Sequence, residues 1–227
     1  MGRDMKKNML IVFDFDGTVA DTSEDLYIAT NHIRGMYGLP NLSRERVIAL
    51  VGRGAHALAS DVVEKPMVHE HTLKALEEFR SFYGKHQADN VRLYPTVRET
   101  IEELSRVNSL AVLSNKPGPM VRRLAGHLGV DGFFDPLWGS DDVDFLKPDP
   151  AGLKAVMAAN CTPAHRTIMV GDQPIDIETG TRAGVKTVFC EYGFRTGQGF
   201  GDRAHFTINE MSGLIGVLES FEQALSS

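Results

Sequence analysis

The chain has 227 residues, 42% apolar and 24% charged, with 22 glycines, 10 prolines and 2 cysteines. This composition excludes a disordered chain, a collagen-like repeat and a disulfide scaffold, and the length suits one large domain or a core with a smaller companion. A formal charge of −6 speaks against a nucleic-acid polymer as partner, because the phosphate backbone rewards positive charge, and no apolar run reaches the roughly 20 residues a membrane helix needs.

Met1–Lys7 ends in two lysines, but the apolar run that follows stops at Asp14 and is too short for a signal peptide. A cytoplasmic protein with reduced thiols is expected, with Cys190 a small core residue. Met9–Phe13 reads as a strand buried on both faces. No strand is evident over residues 21–88. Helices are expected there from Thr22 to about Tyr37, from a Ser43 cap to about Val51, and over Pro66–His86. This stretch is too long for a crossover loop and has its own apolar faces. It is expected to form a small helical domain inserted after the first strand, with joints near Ala20–Asp21 and Asp89–Tyr94.

Thr96-Val97-Arg98-Glu99 reads as a capping box opening a helix toward Val107. Leu110–Leu113 is the second strand, and Gly118–Leu128 a helix stopped by Gly129. Asp149-Pro150 supplies an N-cap and a first-turn proline for a helix to about Asn160. Thr167–Val170 and Lys186–Cys190 are further strands, separated by a helix over Asp176–Ala183 that ends at Gly184. Asn209 is expected to cap a last helix through Leu225. Strands alternating with helices predict an α/β fold, with a doubly wound parallel sheet formed by residues 1–20 and 89–227 and the helical domain formed by residues 21–88.

The polar residues of interest follow the strands. Asp14-Phe15-Asp16-Gly17-Thr18 follows the first, Ser114-Asn115 the second, and Gly171-Asp172 the third, with Asp176 four residues on. In an open α/β sheet this edge is where ligands bind. Carboxylates gathered there repel one another and need a cation or must protonate. Oxygen ligands without a His or Cys pair favour a hard ion, Mg²⁺ over Zn²⁺.

Asp14-Phe15-Asp16-Gly17-Thr18-Val19-Ala20-Asp21, Ser114-Asn115-Lys116-Pro117, Lys147-Pro148-Asp149-Pro150 and Gly171-Asp172-Gln173-Pro174-Ile175-Asp176 resemble, in order and spacing, the four motifs of the haloacid dehalogenase-like hydrolase superfamily. The stretches Ser114–Pro117 and Val51-Gly52-Arg53-Gly54 look most like its phosphoglycolate phosphatase-like members. The resemblance implies a Rossmann-like core with a helical cap over the site, and a mechanism. Asp14 would be the nucleophile and form an aspartyl-phosphate. Asp16 would be the general acid and then the base. Ser114 would hydrogen-bond the phosphoryl group, and Lys147 would neutralise charge on it and on Asp14. Mg²⁺ would be held by Asp14, the backbone carbonyl of Asp16, and Asp172, with Asp176 orienting that set from behind. Gly17, Thr18 and Asn115 would contact the phosphoryl group.

The cap would select the leaving group. Arg53 is expected to clamp a substrate carboxylate, and Lys116 to meet the substrate's far end. The expected activity is hydrolysis of small phosphomonoesters, 2-phosphoglycolate foremost. The alternatives are a nucleotide or sugar-phosphate phosphatase, or a phosphohexomutase of the same family. A monomer or homodimer is expected.

Overall fold

The computed structural model describes residues 8–195 and 201–226. The N-terminal Met1–Lys7 lies outside the described residues. The first strand, β1 (Leu10–Phe13), is buried throughout and leads through a turn into β2 (Ala20–Asp21). Four helices follow: α1 (Ser23–Met36), α2 (Arg44–Leu50), α3 (Ala55–Val63) and α4 (Glu70–His86). The chain returns through β3 (Arg92–Leu93), which pairs antiparallel with β2, so exit and return form one ribbon. Then come α5 (Val97–Ser105), β4 (Ser109–Leu113), α6 (Gly118–His127), β5 (Leu137–Trp138) and α7 (Ala151–Ala159). The chain closes with β6 (Thr167–Gly171), α8 (Pro174–Ala183), β7 (Lys186–Cys190), β8 (Phe206–Ile208) and α9 (Gly213–Ser226).

One sheet has the order β5-β4-β1-β6-β7-β8, with every neighbour parallel. Strand residues alternate between its faces. Ile11, Phe13, Val112 and Val170 pack with Ile101 of α5, Leu124 of α6 and Leu214 of α9. Leu10, Val12, Ala111 and Met169 pack on the other face with Leu153 and Val156 of α7. That double burial explains why the central strands are continuous apolar runs. The order places β1 between β4 and β6, so the chain diverges to either side at the end of β1 and leaves a crevice there.

The helices α1–α4 share a separate apolar cluster that includes Leu26, Ile33, Val47, Leu58 and Phe79. Phe194, from the loop after β7, joins it, and Arg195 Nη2 donates to the Ala49 carbonyl at 2.9 Å. The loop after β7 is thereby tied to these helices. Among the described residues no helix is long and apolar enough to cross a membrane.

Several local expectations change. Thr96 has φ +62 and does not cap α5; its hydroxyl accepts from the Ser212 N–H at 3.0 Å. The last helix starts at Gly213 rather than after Asn209. Pro150 is itself the N-cap of α7, while Asp149 Oδ1 accepts from the Ala151 N–H at 2.8 Å. The third expected helix starts at Glu70, not Pro66, and α3 adds a helix between the second and third.

Candidate active site

Phe15, fully buried, anchors a tight turn after β1: its carbonyl accepts from the N–H groups of Val19 and Ala20, both at 3.0 Å. Asp14 and Asp16 flank it and diverge. Lys147 Nζ lies 2.9 Å from Asp14 Oδ1, and the Phe15 N–H donates to the same oxygen at 2.7 Å. Asp16 instead faces Lys116, whose Nζ lies 3.0 and 3.1 Å from its two oxygens, and it accepts from Thr22 Oγ1 at 2.8 Å. Gly17 has φ +85, and a Cβ there would sit 2.3 Å from Asp172 Oδ2, so the turn needs glycine for both conformation and clearance.

Asp14, Asp172 and Asp176 bring one carboxylate oxygen each within 4.8 Å of one another, all buried. Thr18 Oγ1 donates to Asp172 Oδ1 at 3.0 Å and the Phe194 N–H to Oδ2 at 2.8 Å. Asp176 accepts from Lys147 Nζ at 2.7 Å and from the Gln173 N–H at 3.0 Å, which also closes a capping box on α8. Burial pushes the Asp172 carboxyl well above its ordinary range, and the charges of Asp176 and Asp14 push it further. Burial also raises Asp176, against the opposing pull of Lys147. Burial alone would lower the Lys147 ammonium, yet Asp14 and Asp176 outweigh it and hold it charged. Of the three carboxylates, Lys147 pairs with Asp14 and Asp176 and not with Asp172. The leftover negative charge, offered only by oxygen donors, fits a small hard divalent cation.

Ser114 and Asn115 follow β4. Asn115 binds the Lys147 backbone in both directions, accepting from its N–H and donating to its carbonyl, each at 2.9 Å. Its amide also donates to the Gly52 carbonyl at 2.8 Å, linking the core to the turn between α2 and α3. Asn115 thus spans Lys147 and the insert. Lys116 Nζ lies 2.8 Å from the Tyr83 hydroxyl of α4. Burial alone would lower the Lys116 ammonium, but the nearby Asp16 charge outweighs it and the net shift is upward.

Above Asp16 and Lys116 lies a cavity of about 50 Å³ between sheet edge and insert, walled by Leu26, Leu58 and Phe79, with Arg80 also lining it. Arg53 does not line it. Its side chain is 61% exposed and pairs with Asp61 of α3, while its neighbours Gly52 and Gly54 form the wall. The expected Arg53 clamp is corrected accordingly: in this structure its charge is engaged on the insert surface. Lys116 does line the cavity, with its ammonium held between Asp16 and the Tyr83 hydroxyl. Thr22, Arg80, Tyr83 and the Phe194 N–H were not singled out from the sequence. Only Thr22, beside the first motif, carried a local signal, and there it read as a helix start.

The model of the family described as haloacid dehalogenase-like hydrolase matches residues 11–190. A phosphoglycolate phosphatase of Pseudomonas syringae pv. tomato is 34% identical over 196 residues, covering 83% of this chain and 71% of the relative. One from Vibrio parahaemolyticus is 33% identical and covers 83% of this chain and 86% of the relative. The crystal structure of a predicted phosphoglycolate phosphatase from Haemophilus somnus superposes with a TM-score of 0.87 at 27% identity, covering 94% of this chain and 99% of that one.

Proposed function

The chain belongs to the haloacid dehalogenase-like hydrolases, and we propose that within that family it is a Mg²⁺-dependent phosphatase of short phosphomonoesters, foremost 2-phosphoglycolate, working through a phosphoryl group carried on Asp14. The observation that carries this reading is the split of the two strand-end carboxylates. Asp14 sits in the acidic cluster against Lys147, and Asp16 sits apart against Lys116 beneath the cavity. A nucleophile and a proton carrier need different surroundings, and this chain supplies both on one short turn.

The residues that would hold Mg²⁺ are Asp14, Asp172 and the backbone carbonyl of Asp16, with Asp176 fixing Lys147 in place and Thr18 and the Phe194 N–H fixing Asp172. The ion would supply charge neutralisation for a phosphoryl group next to Asp14. The chain's own groups do the rest. The Asp14 carboxylate attacks phosphorus. The bond from phosphorus to the leaving oxygen breaks, and Asp16 gives that oxygen its proton. Asp16, now a carboxylate, takes a proton from water, whose oxygen attacks the phosphorus of the aspartyl-phosphate. The bond to Asp14 then breaks and inorganic phosphate leaves. Lys147 offsets charge on both the phosphoryl group and Asp14. The Ser114 hydroxyl steadies a phosphoryl oxygen, whereas the expected phosphoryl contacts of Asn115 and Gly17 are corrected: the Asn115 amide is committed to the Lys147 backbone and the Gly52 carbonyl, and the Gly17 N–H donates to the Ala20 carbonyl at 2.9 Å.

In this reading residues 21–88 form a cap over a core of residues 1–20 and 89–227, hinged at the ribbon of β2 and β3. The substrate is argued from two sides. The curated relatives above bear the name phosphoglycolate phosphatase. The cavity over Asp16 is walled by Leu26, Leu58 and Phe79 with Arg80 alongside, a lining that suits a short organic tail ending in an anion. The test is phosphate release from 2-phosphoglycolate beside nucleotides, sugar phosphates and pyrophosphate, with Mg²⁺ and with EDTA. A Mg²⁺-dependent lead in kcat/KM for 2-phosphoglycolate is expected. A lead for a nucleotide or hexose phosphate would overturn the substrate, and no release from any compound would overturn the activity.

A further inference from the structure

We propose that Arg80 of α4 is the specificity-determining residue of the cavity, the group that selects phosphomonoesters whose leaving group ends in an anion. The inference rests on the phosphatase reading and names the tail chemistry it would favour.

Arg80, Asp16 and Lys116 line the same cavity. The Lys116 ammonium is already committed, at 3.0 Å to Asp16 and 2.8 Å to the Tyr83 hydroxyl. Elsewhere in residues 21–88, Arg34 pairs with Glu64, Arg44 with Glu24, Arg53 with Asp61 and Lys74 with Glu78, while Arg46, Lys65 and Lys85 do not line the cavity. Arg80 lines the cavity and has no hydrogen bond or ion pair with any described residue. It lies one position after Phe79 and three before Tyr83, on the helix that roofs the space. Leu26, Leu58 and Phe79 surround that space with apolar surface. A carboxylate placed among such walls is costly unless it meets a cation. A guanidinium meets it with two parallel hydrogen bonds, a geometry that a neutral hydroxyl tail cannot use equally. Arg80 is therefore the cavity's uncommitted positive charge.

The test compares kcat/KM for 2-phosphoglycolate with that for 2-hydroxyethyl phosphate, a neutral-tailed analogue of similar size, in the full-length protein with Mg²⁺. The variants are Arg80→Ala, Arg80→Lys and Arg53→Ala. Because a charge-assisted pair is removed, Arg80→Ala is expected to lower the ratio of the two constants by at least about tenfold, with Arg80→Lys recovering part of it. Arg53→Ala is expected to leave the ratio within about twofold. An unchanged ratio in Arg80→Ala, with both substrates still hydrolysed, overturns the role of Arg80 and leaves the phosphatase reading standing. A ratio that moves with Arg53→Ala and not with Arg80→Ala also overturns it, in favour of Arg53. Failure of the unaltered protein to release phosphate from either compound overturns both readings.

Discussion

The ammonium of Lys116 lies 3.0 and 3.1 Å from the two carboxylate oxygens of Asp16. Both side chains are nearly buried, at 5% and 11% exposure. Removing one partner of such a pair strands the other, which costs more than the pair itself contributes. Lys116→Met is expected to destabilise the fold by about 3 kcal/mol and to lower kcat at least tenfold. Urea unfolding and steady-state phosphate release check this, and a variant with unaltered stability and kcat would contradict it.

Tyr83 extends the same contact into α4, its hydroxyl 2.8 Å from Lys116 Nζ. Burial pushes the phenol up to about 12, with Lys116 opposing and Asp16 adding. The hydroxyl therefore stays neutral across ordinary assay conditions. Tyr83→Phe is expected to cost about 1 kcal/mol of stability. Its fold-loss in kcat/KM should be the same near pH 6 and near pH 9, well below the point where the phenol would ionise. A loss that grows between the two would contradict the neutral assignment.

Gly52 closes the contact between the α2–α3 turn and the sheet edge. Its φ is +115, and a Cβ would sit 2.0 Å from Gln173 Oε1. Its carbonyl accepts from the Asn115 amide at 2.8 Å. Gly52→Ala is expected to lose about 1–3 kcal/mol and to raise KM, because strain and clash fall on the turn that walls the cavity. Thermal melting and a KM measurement check this together; an alanine variant with both unchanged would contradict the close approach.

Much of this was legible in the residues, and the gaps have physical reasons. The four central strands stand out because burial on both faces makes them continuous apolar runs. Met9–Phe13 and Lys186–Cys190 come within one residue of the structure. The edge strands Leu137–Trp138 and Phe206–Ile208 are too short for a pattern to show. Thr96 carries a capping-box sequence, but its left-handed backbone turns the hydroxyl to Ser212 instead. The carboxylates of the candidate site lie in strand-end motifs, so their gathering follows from topology. Arg53, Arg80 and Tyr83 lie on the insert, and which of them faces the core depends on how α3 and α4 pack. The Arg53–Asp61 pair spans eight positions across a turn and a helix, beyond any local rule of spacing.

The acidic cluster predicts a coupled effect of metal and pH. Without a cation, Asp172 and Asp176 bind protons more tightly folded than unfolded, above their ordinary value of 3.8. A raised carboxyl favours the folded state at low pH, and that contribution is lost as pH rises from the unfolded value through the folded one. Mg²⁺ bound to the ionised cluster would offset that loss. The Mg²⁺-induced rise in Tm is therefore expected to grow as pH increases above about 4, measured against EDTA at each pH. A rise that shrinks with pH, or none at neutral pH, would contradict a metal at this cluster.

The central claim is that Asp14 carries the phosphoryl group, held by Lys147 at 2.9 Å. Its most direct test is acid quenching during turnover of 2-phosphoglycolate, followed by peptide mass spectrometry, with Asp14→Asn run in parallel. The account predicts a phosphoryl group on the peptide that contains Asp14, and a folded Asp14→Asn variant that neither carries it nor releases phosphate above background. A phosphoryl group on another residue, or wild-type phosphate release by Asp14→Asn, would contradict it.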